Sequence, residues 1–73
     1  MVMDVVQIGI FPTGETWDLV EFLEDGNDVG DAEWFEVKSD AIKAGRKLFA
    51  ETPTAKSLIV QNLDGRNVTV RSR

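Results

Sequence analysis

The stretch Ser39–Glu51 decides the fold, because its sequence, SDAIKAGRKLFAE, has apolar residues at helical spacing. Ser39 is a residue type that favours the helix N-cap, and Asp40 falls in the first turn, where the helix dipole favours an anion. Pro53 follows the pattern and predicts the end of the helix. The apolar stripe of the predicted helix consists of Ala41, Ile42, Gly45, Leu48 and Phe49.

Gly45 is an unusual member of that stripe, since glycine costs about 1 kcal/mol relative to alanine in a helix interior. Its position on the apolar side predicts a close contact between the helix and a sheet. Simple tolerance of the glycine is the alternative.

Five segments rich in β-branched and aromatic residues surround the helix and predict strands. They are Val2–Phe11, Thr16–Glu24, Trp34–Lys38, Ser57–Leu63 and Asn67–Arg71. Turn residues join the first two at Pro12–Glu15, and Asp64-Gly65 is a strong hairpin signal between the last two.

One amphipathic helix and one sheet need each other, because neither buries its apolar side alone. We therefore expect a single α+β domain over residues 1–73. Its predicted architecture is an antiparallel sheet of about five strands with one helix packed on one face, in the order β-β-β-α-β-β.

Alternation assigns side chains to the faces of the sheet. In the first strand, one face is expected to hold Val6, Ile8 and Ile10, and the other Met3, Val5 and Phe11. Residues expected to face the core in the last two strands are Leu58, Val60, Val68 and Val70. In the second strand Trp17 and Leu19 oppose Val20 and Phe22. Either both faces of the sheet are partly covered there, or a bulge shifts the alternation.

The residues that are missing exclude much chemistry. The chain has no Cys, His or Tyr, which excludes a thiol nucleophile, an imidazole base, phenol chemistry, disulfides and the usual zinc ligands. A chain of 73 residues also has little room for a pocket that buries a substrate. We therefore expect a protein that is not an enzyme and uses no cofactor.

No apolar run approaches the roughly 18 residues that a membrane span needs. The apolar start of the chain is interrupted by Asp4 and Gln7, and no basic region precedes it, so it predicts a strand and not a signal peptide. We expect a soluble, cytoplasmic protein. Its core is small enough that self-association as a homodimer is a further expectation.

The segment Asp25–Glu36 has part of the pattern of a calcium-binding loop. Asp25, Asn27, Gly30, Glu33 and Glu36 occupy positions 1, 3, 6, 9 and 12 of such a loop. Position 5 is a valine without a side-chain oxygen, and strands flank the segment where the calcium motif has helices. A solvated hairpin loop is therefore the preferred interpretation.

Charge is distributed unevenly along the chain. Residues 1–40 contain eleven acidic residues and one basic residue, a formal charge of −10. Residues 41–73 contain seven basic and two acidic residues, a formal charge of +5, which gives the net charge of −5. One interpretation is that the charges of the helix and the sheet neutralise one another in the fold.

Three functional interpretations compete with it. In the preferred one, the chain is a small acidic binding module that presents an acidic face to a basic protein partner, as an inhibitor or a nucleic-acid mimic would. The candidate contacts are Glu21, Glu24, Asp25, Asp28, Asp31, Glu33, Trp34 and Glu36. In the second, the chain binds nucleic-acid phosphates through Lys43, Arg46, Lys47, Arg66, Arg71 and Arg73. The acidic net charge argues against the second interpretation. A third is a homodimer with a regulatory or structural role.

Several stretches together show a resemblance. They are Trp17–Val20, Phe35–Ile42, Ala44–Leu48, Leu58–Val60 and Asp64–Arg66. In this order they resemble a group of small bacterial domains of unknown function, with a Trp-containing hairpin, an Ala-Ile…Arg-x-Leu helix and a closing Asp-Gly-Arg hairpin. The chain departs from that pattern in its long acidic loop, in its acidic balance and in Gly45, where alanine is usual. The resemblance covers most of residues 5–70 and implies the strand-helix-hairpin order, but no activity, cofactor or catalytic residue.

Overall fold

Five strands and one helix follow one another in the order that the sequence predicts. The computed structural model describes residues 4–30 and 32–73. The elements are β1 (Val5–Thr13), β2 (Thr16–Leu23), β3 (Glu33–Phe35), α1 (Lys38–Glu51), β4 (Ser57–Gln61) and β5 (Asn67–Ser72). The predicted start of the first strand, Val2 and Met3, lies outside the described residues. Within those residues, no helix is long and apolar enough to cross a membrane.

The sheet is mixed, so the prediction of an antiparallel sheet is wrong. Its strand order is β3-β2-β1-β4-β5, and β4 pairs with β1 in parallel while the other neighbours are antiparallel. The helix explains the difference. A single helix between two strands carries the chain back across the sheet, so β4 runs in the same direction as β3 and β1. It then joins the free side of β1, because β2 already occupies the other side.

The core lies between the helix and one face of the sheet. It consists of Ile8, Ile10, Leu19, Ala41, Phe49, Ala55, Leu58 and Val60. Trp17, Phe35, Ile42 and Leu48 pack against it while remaining partly exposed. The predicted apolar stripe of the helix is therefore the side that meets the sheet.

Gly45 is buried at the closest approach of the helix to the sheet. A Cβ atom at this position would lie 3.0 Å from Cδ1 of Ile10 and 3.2 Å from Cδ1 of Leu58. Both of those side chains are fully buried. The expected close contact is thus confirmed, and it explains why the smallest residue stands on an apolar stripe.

The third strand is shorter than predicted, and the helix begins earlier. Strand β3 ends at Phe35, and the N-cap is Val37, which has extended backbone angles and makes no side-chain capping bond. The backbone N–H groups of Asp40 and Ala41 donate to the carbonyl of Val37, so the first helical turn already contains Ser39. The prediction of Ser39 as the N-cap is therefore wrong. The end of the helix at Glu51 is confirmed.

Both faces of β2 carry apolar side chains, and no bulge within this strand shifts the alternation. Trp17 and Leu19 contact the core, and Phe22 lies on the other face, in an edge-to-face contact with Phe11. The irregularity of the sheet lies instead in β1, between Val5 and Gln7. It turns Val5 toward the core, so the assignment of Val5 to the face of Phe11 is wrong.

The closing hairpin forms at Asp64-Gly65, as predicted. Gly65 has a φ of 85°, which glycine adopts without strain, and its N–H donates to the carbonyl of Asn62 over 2.9 Å. In the strand that follows, Val70 packs against the core. Val68 lies on the helix side, opposite Val60, as predicted, but it is 48% exposed.

Candidate interaction surface

The loop between β2 and β3 is held against β2 by backbone hydrogen bonds. Leu23 donates to the carbonyl of Asn27 over 2.8 Å, and Val29 donates to the carbonyl of Glu21 over 2.9 Å. Phe22 and Asp28 form an isolated antiparallel bridge. The loop backbone therefore continues the β2 ladder as a hairpin.

Asp25 has a local structural role in this loop. Its two carboxylate oxygens accept hydrogen bonds from the backbone N–H and the side-chain amide of Asn27, each over 3.0 Å. Glu33, the ninth position of the calcium pattern, lies in the edge strand β3. Among the described residues, no three acidic side chains come close enough together to hold a metal ion.

The candidate acidic residues surround the outer side of β2 and β3. We call Glu21, Glu24, Asp25, Asp28, Glu33 and Glu36 the acidic surface. Glu21 and Glu33 lie on the helix side of the sheet, where with Leu19 and Leu48 they line a cavity of about 130 Å³. Glu24, Asp25, Asp28 and Glu36 are exposed. Asp31, the remaining acidic candidate, lies outside the described residues.

Trp34 lies on the other side of the same edge strand. Its side chain is 61% exposed, and its partner across the strand pair is Asp18. The second tryptophan, Trp17, packs instead against the core, and the Nζ atom of Lys38 lies 5.3 Å from its ring. Trp34 is thus an indole that contributes little to the core and stands beside Glu33.

The charges of the two halves of the chain do not pair in the fold. Within residues 4–30 and 32–73, the only ion pair joins Arg66 to Asp64, its near neighbour in the β4–β5 turn, over 3.8 Å. Strands β3 and β5 are the opposite edges of the sheet. Four strand spacings separate them, about 19 Å, which exceeds the Debye length of about 8 Å at physiological salt. Contact ion pairs between the two halves are therefore absent among the described residues, while the interpretation that helix and sheet charges neutralise one another stays a prediction.

The basic candidates do not form one surface. Lys43, Arg46 and Lys47 are exposed on the helix, and Lys47 borders a depression that it shares with Glu21 and Glu33. Arg66 and Arg71 belong to the β4–β5 turn and to β5. The fold thus disperses the six side chains that the nucleic-acid interpretation requires.

Arg73 closes the C-terminal end of the helix, a role that sequence reasoning missed. Its guanidinium donates to the carbonyls of Phe49, Thr52 and Ala55 and lies 3.9 Å from the centre of the Phe49 ring. These carbonyls belong to the helix end and the turn after it, where a cation is favoured. Arg73 is therefore committed to the fold and not free to contact phosphate. Contacts across 18 to 24 positions leave no local signal in the sequence.

A second concave region lies where β1 and β4 begin. This open groove of about 710 Å³ is lined by Asp4, Val6, Gln7, Glu24, Thr54, Lys56 and Ser57. Its hydroxyl groups already have partners, since Thr54 donates to the carbonyl of Val5 and Ser57 accepts from Gln7. The groove is a mixed-charge border of the sheet.

No protein-family model, curated protein or solved structure matches the chain. The resemblance to small bacterial domains of unknown function therefore stays a prediction, and the function has to be argued from the surfaces described above.

Proposed function

We propose that this protein is a non-enzymatic binding module whose acidic surface holds a basic protein partner. The observation that supports this most is that the acidic surface has no ionic partner within 4 Å among the described residues, although the chain has eight basic residues. Unpaired charge of one sign raises the local potential and accelerates the approach of an oppositely charged partner. A partner that normally binds nucleic acid carries the required basic surface, so the module would act as its inhibitor or as a nucleic-acid mimic.

Trp34 supplies the apolar contact that such a surface needs. Tryptophan is enriched among the residues that contribute most to protein–protein affinity. The 61% exposure of Trp34 is high for a side chain of this size, and its edge strand has a neighbour on one side alone. A partner that approaches this edge meets Trp34 on one side of the strand and Glu33 on the other. Charge would then steer the partner, and the indole would retain it.

The test begins with capture of proteins from the native host on the immobilised chain at low salt. The affinity of each purified basic partner is then measured by calorimetry. We expect Trp34→Ala to weaken binding about tenfold or more, as for a central aromatic contact. We expect Asp28→Asn to weaken it about threefold, as for one exposed charge. Both side chains are exposed, so the variants should fold normally.

Glu15→Gln is the matched control for the charge. Glu15 is exposed in the β1–β2 turn, at the other end of β2 from Asp28. Its replacement removes the same charge about 20 Å away, a distance set by the rise per residue of the strand. Because Phe35 pairs with Trp17, Glu36 lies near Glu15, so equal weakening by Asp28→Asn and Glu15→Gln would contradict a partner contact centred on the β2–β3 loop. Capture of acidic or neutral proteins alone would contradict the proposal itself.

A mobility-shift assay with double-stranded DNA and RNA at low salt tests the nucleic-acid interpretation. Binding that is lost in the Arg46→Glu/Lys47→Glu variant would favour that interpretation over ours. We expect no shift, because Arg73 is committed to the helix end and Lys47 borders acidic residues.

A further inference from the structure

The face of the sheet that points away from the helix carries apolar side chains. Alternation places Gly9, Phe11, Val20, Phe22 and Ile59 on this face, since their strand neighbours Ile8, Ile10, Leu19, Leu58 and Val60 are buried against the helix. Among the described helices and strands, none packs on that side. A sheet with one solvated face normally presents polar residues there. We call this side of the sheet the open face.

An aromatic pair forms the centre of the open face. The rings of Phe11 and Phe22 meet edge to face, with centroids 5.8 Å apart and planes at 87°. The ring of Phe11 lies over Gly9, since a Cβ atom there would be 2.5 Å from Cε2 of Phe11 and 3.1 Å from Cε2 of Phe22. Gly9 therefore allows the rings to lie low on the sheet, which leaves a smooth apolar surface over the central strands.

The open face is also almost uncharged, in a chain of which 29% is charged. Register places the uncharged polar residues Gln7, Ser57, Gln61 and Thr69 around the apolar centre. Among the described strand residues on this side, the one ionisable side chain is Asp18, which pairs with Phe11 toward the β1–β2 turn. Charged residues are concentrated instead on the acidic surface, the helix and the sheet edges.

We propose that a second copy of this chain covers the open face, in a two-fold symmetric pair of sheets. An uncharged face offers nothing to steer a basic partner, which the acidic surface attracts instead. Two copies with a net charge of −5 repel each other, and an uncharged patch is the surface through which they approach with least repulsion. A two-fold interface uses the same patch on both subunits, so it must be self-complementary. A flat apolar centre with a polar rim and its one charge near the turn meets that requirement.

The size of the open face agrees with a dimer of moderate affinity. Five strands about 4.8 Å apart and about 20 Å long give a flat footprint of roughly 500 Å². Side-chain relief makes the accessible area larger than this footprint, and a standard interface takes about 800 Å² from each partner. The open face therefore lies at the lower end of stable interfaces, for which we expect a dissociation constant in the micromolar range, on the order of 10 μM. This inference goes beyond the proposed function, because the apolar centre of the open face lies on the central strands, although Trp34, which pairs with Asp18, lies at the β3 edge of the same face.

Sedimentation equilibrium of the full chain, at concentrations from about 1 to 500 μM, tests the proposal. We expect the mass to rise from 8.1 kDa toward twice that value. The decisive variants are two neighbours in β5. Thr69 pairs with Ile59 on the open face, and Val68 pairs with Val60 on the helix side, where it is 48% exposed. We expect Thr69→Glu to weaken dimerisation at least tenfold and Val68→Glu to leave it unchanged.

Both side chains are exposed, so circular dichroism should show a folded chain for each variant. A wild-type chain that stays monomeric at 500 μM would overturn the proposal. So would a dimer that Val68→Glu weakens as much as Thr69→Glu, because the second copy would then lie elsewhere or respond only to net charge. Neither outcome bears on the charge of the acidic surface, which Asp28→Asn tests on its own.

Discussion

Replacing Gly45 with alanine should destabilise this protein, although the same change stabilises an unconstrained helix. Helix propensity favours alanine over glycine by about 1 kcal/mol. The new Cβ atom would, however, lie 3.0 Å from Cδ1 of Ile10 and 3.2 Å from Cδ1 of Leu58, and both side chains are fully buried. Overpacking of a tight core costs about 1–3 kcal/mol. Subtracting the gain in helix propensity from the middle of the overpacking range gives an expected loss of about 1 kcal/mol in the free energy of unfolding.

Urea unfolding followed by circular dichroism measures this loss, and thermal unfolding should show a decrease of about 4–8 °C in Tm. Ala50→Gly is the control for propensity, since Ala50 is exposed on the same helix. It should cost about 1 kcal/mol without any packing effect. Ile10→Val then tests the contact itself, because it removes the Cδ1 atom nearest the new methyl group.

Alone, Ile10→Val should cost about 1 kcal/mol. In the Gly45→Ala background it should cost less, with a coupling energy of at least about 0.5 kcal/mol between contacting sites. Stabilisation by Gly45→Ala, equal to the loss in Ala50→Gly, would refute the close-contact reasoning. Simple additivity of the two core changes would refute it as well.

Three further expectations concern other contacts of the fold. Arg73→Ala should lower the free energy of unfolding in urea by about 1–2 kcal/mol, because the helix end loses its cation and hydrogen bonds. The control Arg71→Ala should change it by less than about 0.5 kcal/mol. Gly65→Ala should cost about 1 kcal/mol in thermal unfolding, since its φ of 85° strains any residue with a Cβ atom. Acrylamide should quench Trp34 in a Trp17→Phe variant more strongly than it quenches Trp17 in a Trp34→Phe variant, as their exposure requires.

The sequence predicts the elements of this fold better than their arrangement. The helix, the Asp64-Gly65 hairpin and the close approach at Gly45 follow from periodicity, turn chemistry and residue size, which are local properties. The pairing of β4 with β1 depends on where the chain lands after crossing the sheet, and no local pattern specifies this. The bulge that turns Val5 inward is equally hidden, since alternation gives no sign of an inserted residue.

The candidate surface divides in the same way. The acidic loop is visible in the sequence because its acidic residues lie close together along the chain. The exposure of Trp34 follows from alternation, since Trp34 and its neighbour Phe35 point to opposite faces of the strand. The role of Arg73 is not visible, because its carbonyl partners are 18 to 24 positions away. The sequence alone therefore groups Arg73 with the basic residues that could contact phosphate, whereas its contacts in the fold are those of a helix cap.

The acidic surface and the open face should respond to salt in opposite directions, because different forces act at them. Binding of a basic partner draws on charge attraction, which screening weakens as ionic strength rises. Pairing through the open face depends on apolar burial. There, salt screens the repulsion between two copies of charge −5, which opposes pairing. Higher salt should thus release the partner and favour the dimer. If the two surfaces operate together, each dimer presents two acidic surfaces, and a partner with two basic sites would bind it by avidity. Low salt and high protein concentration are then the conditions in which that combined complex forms.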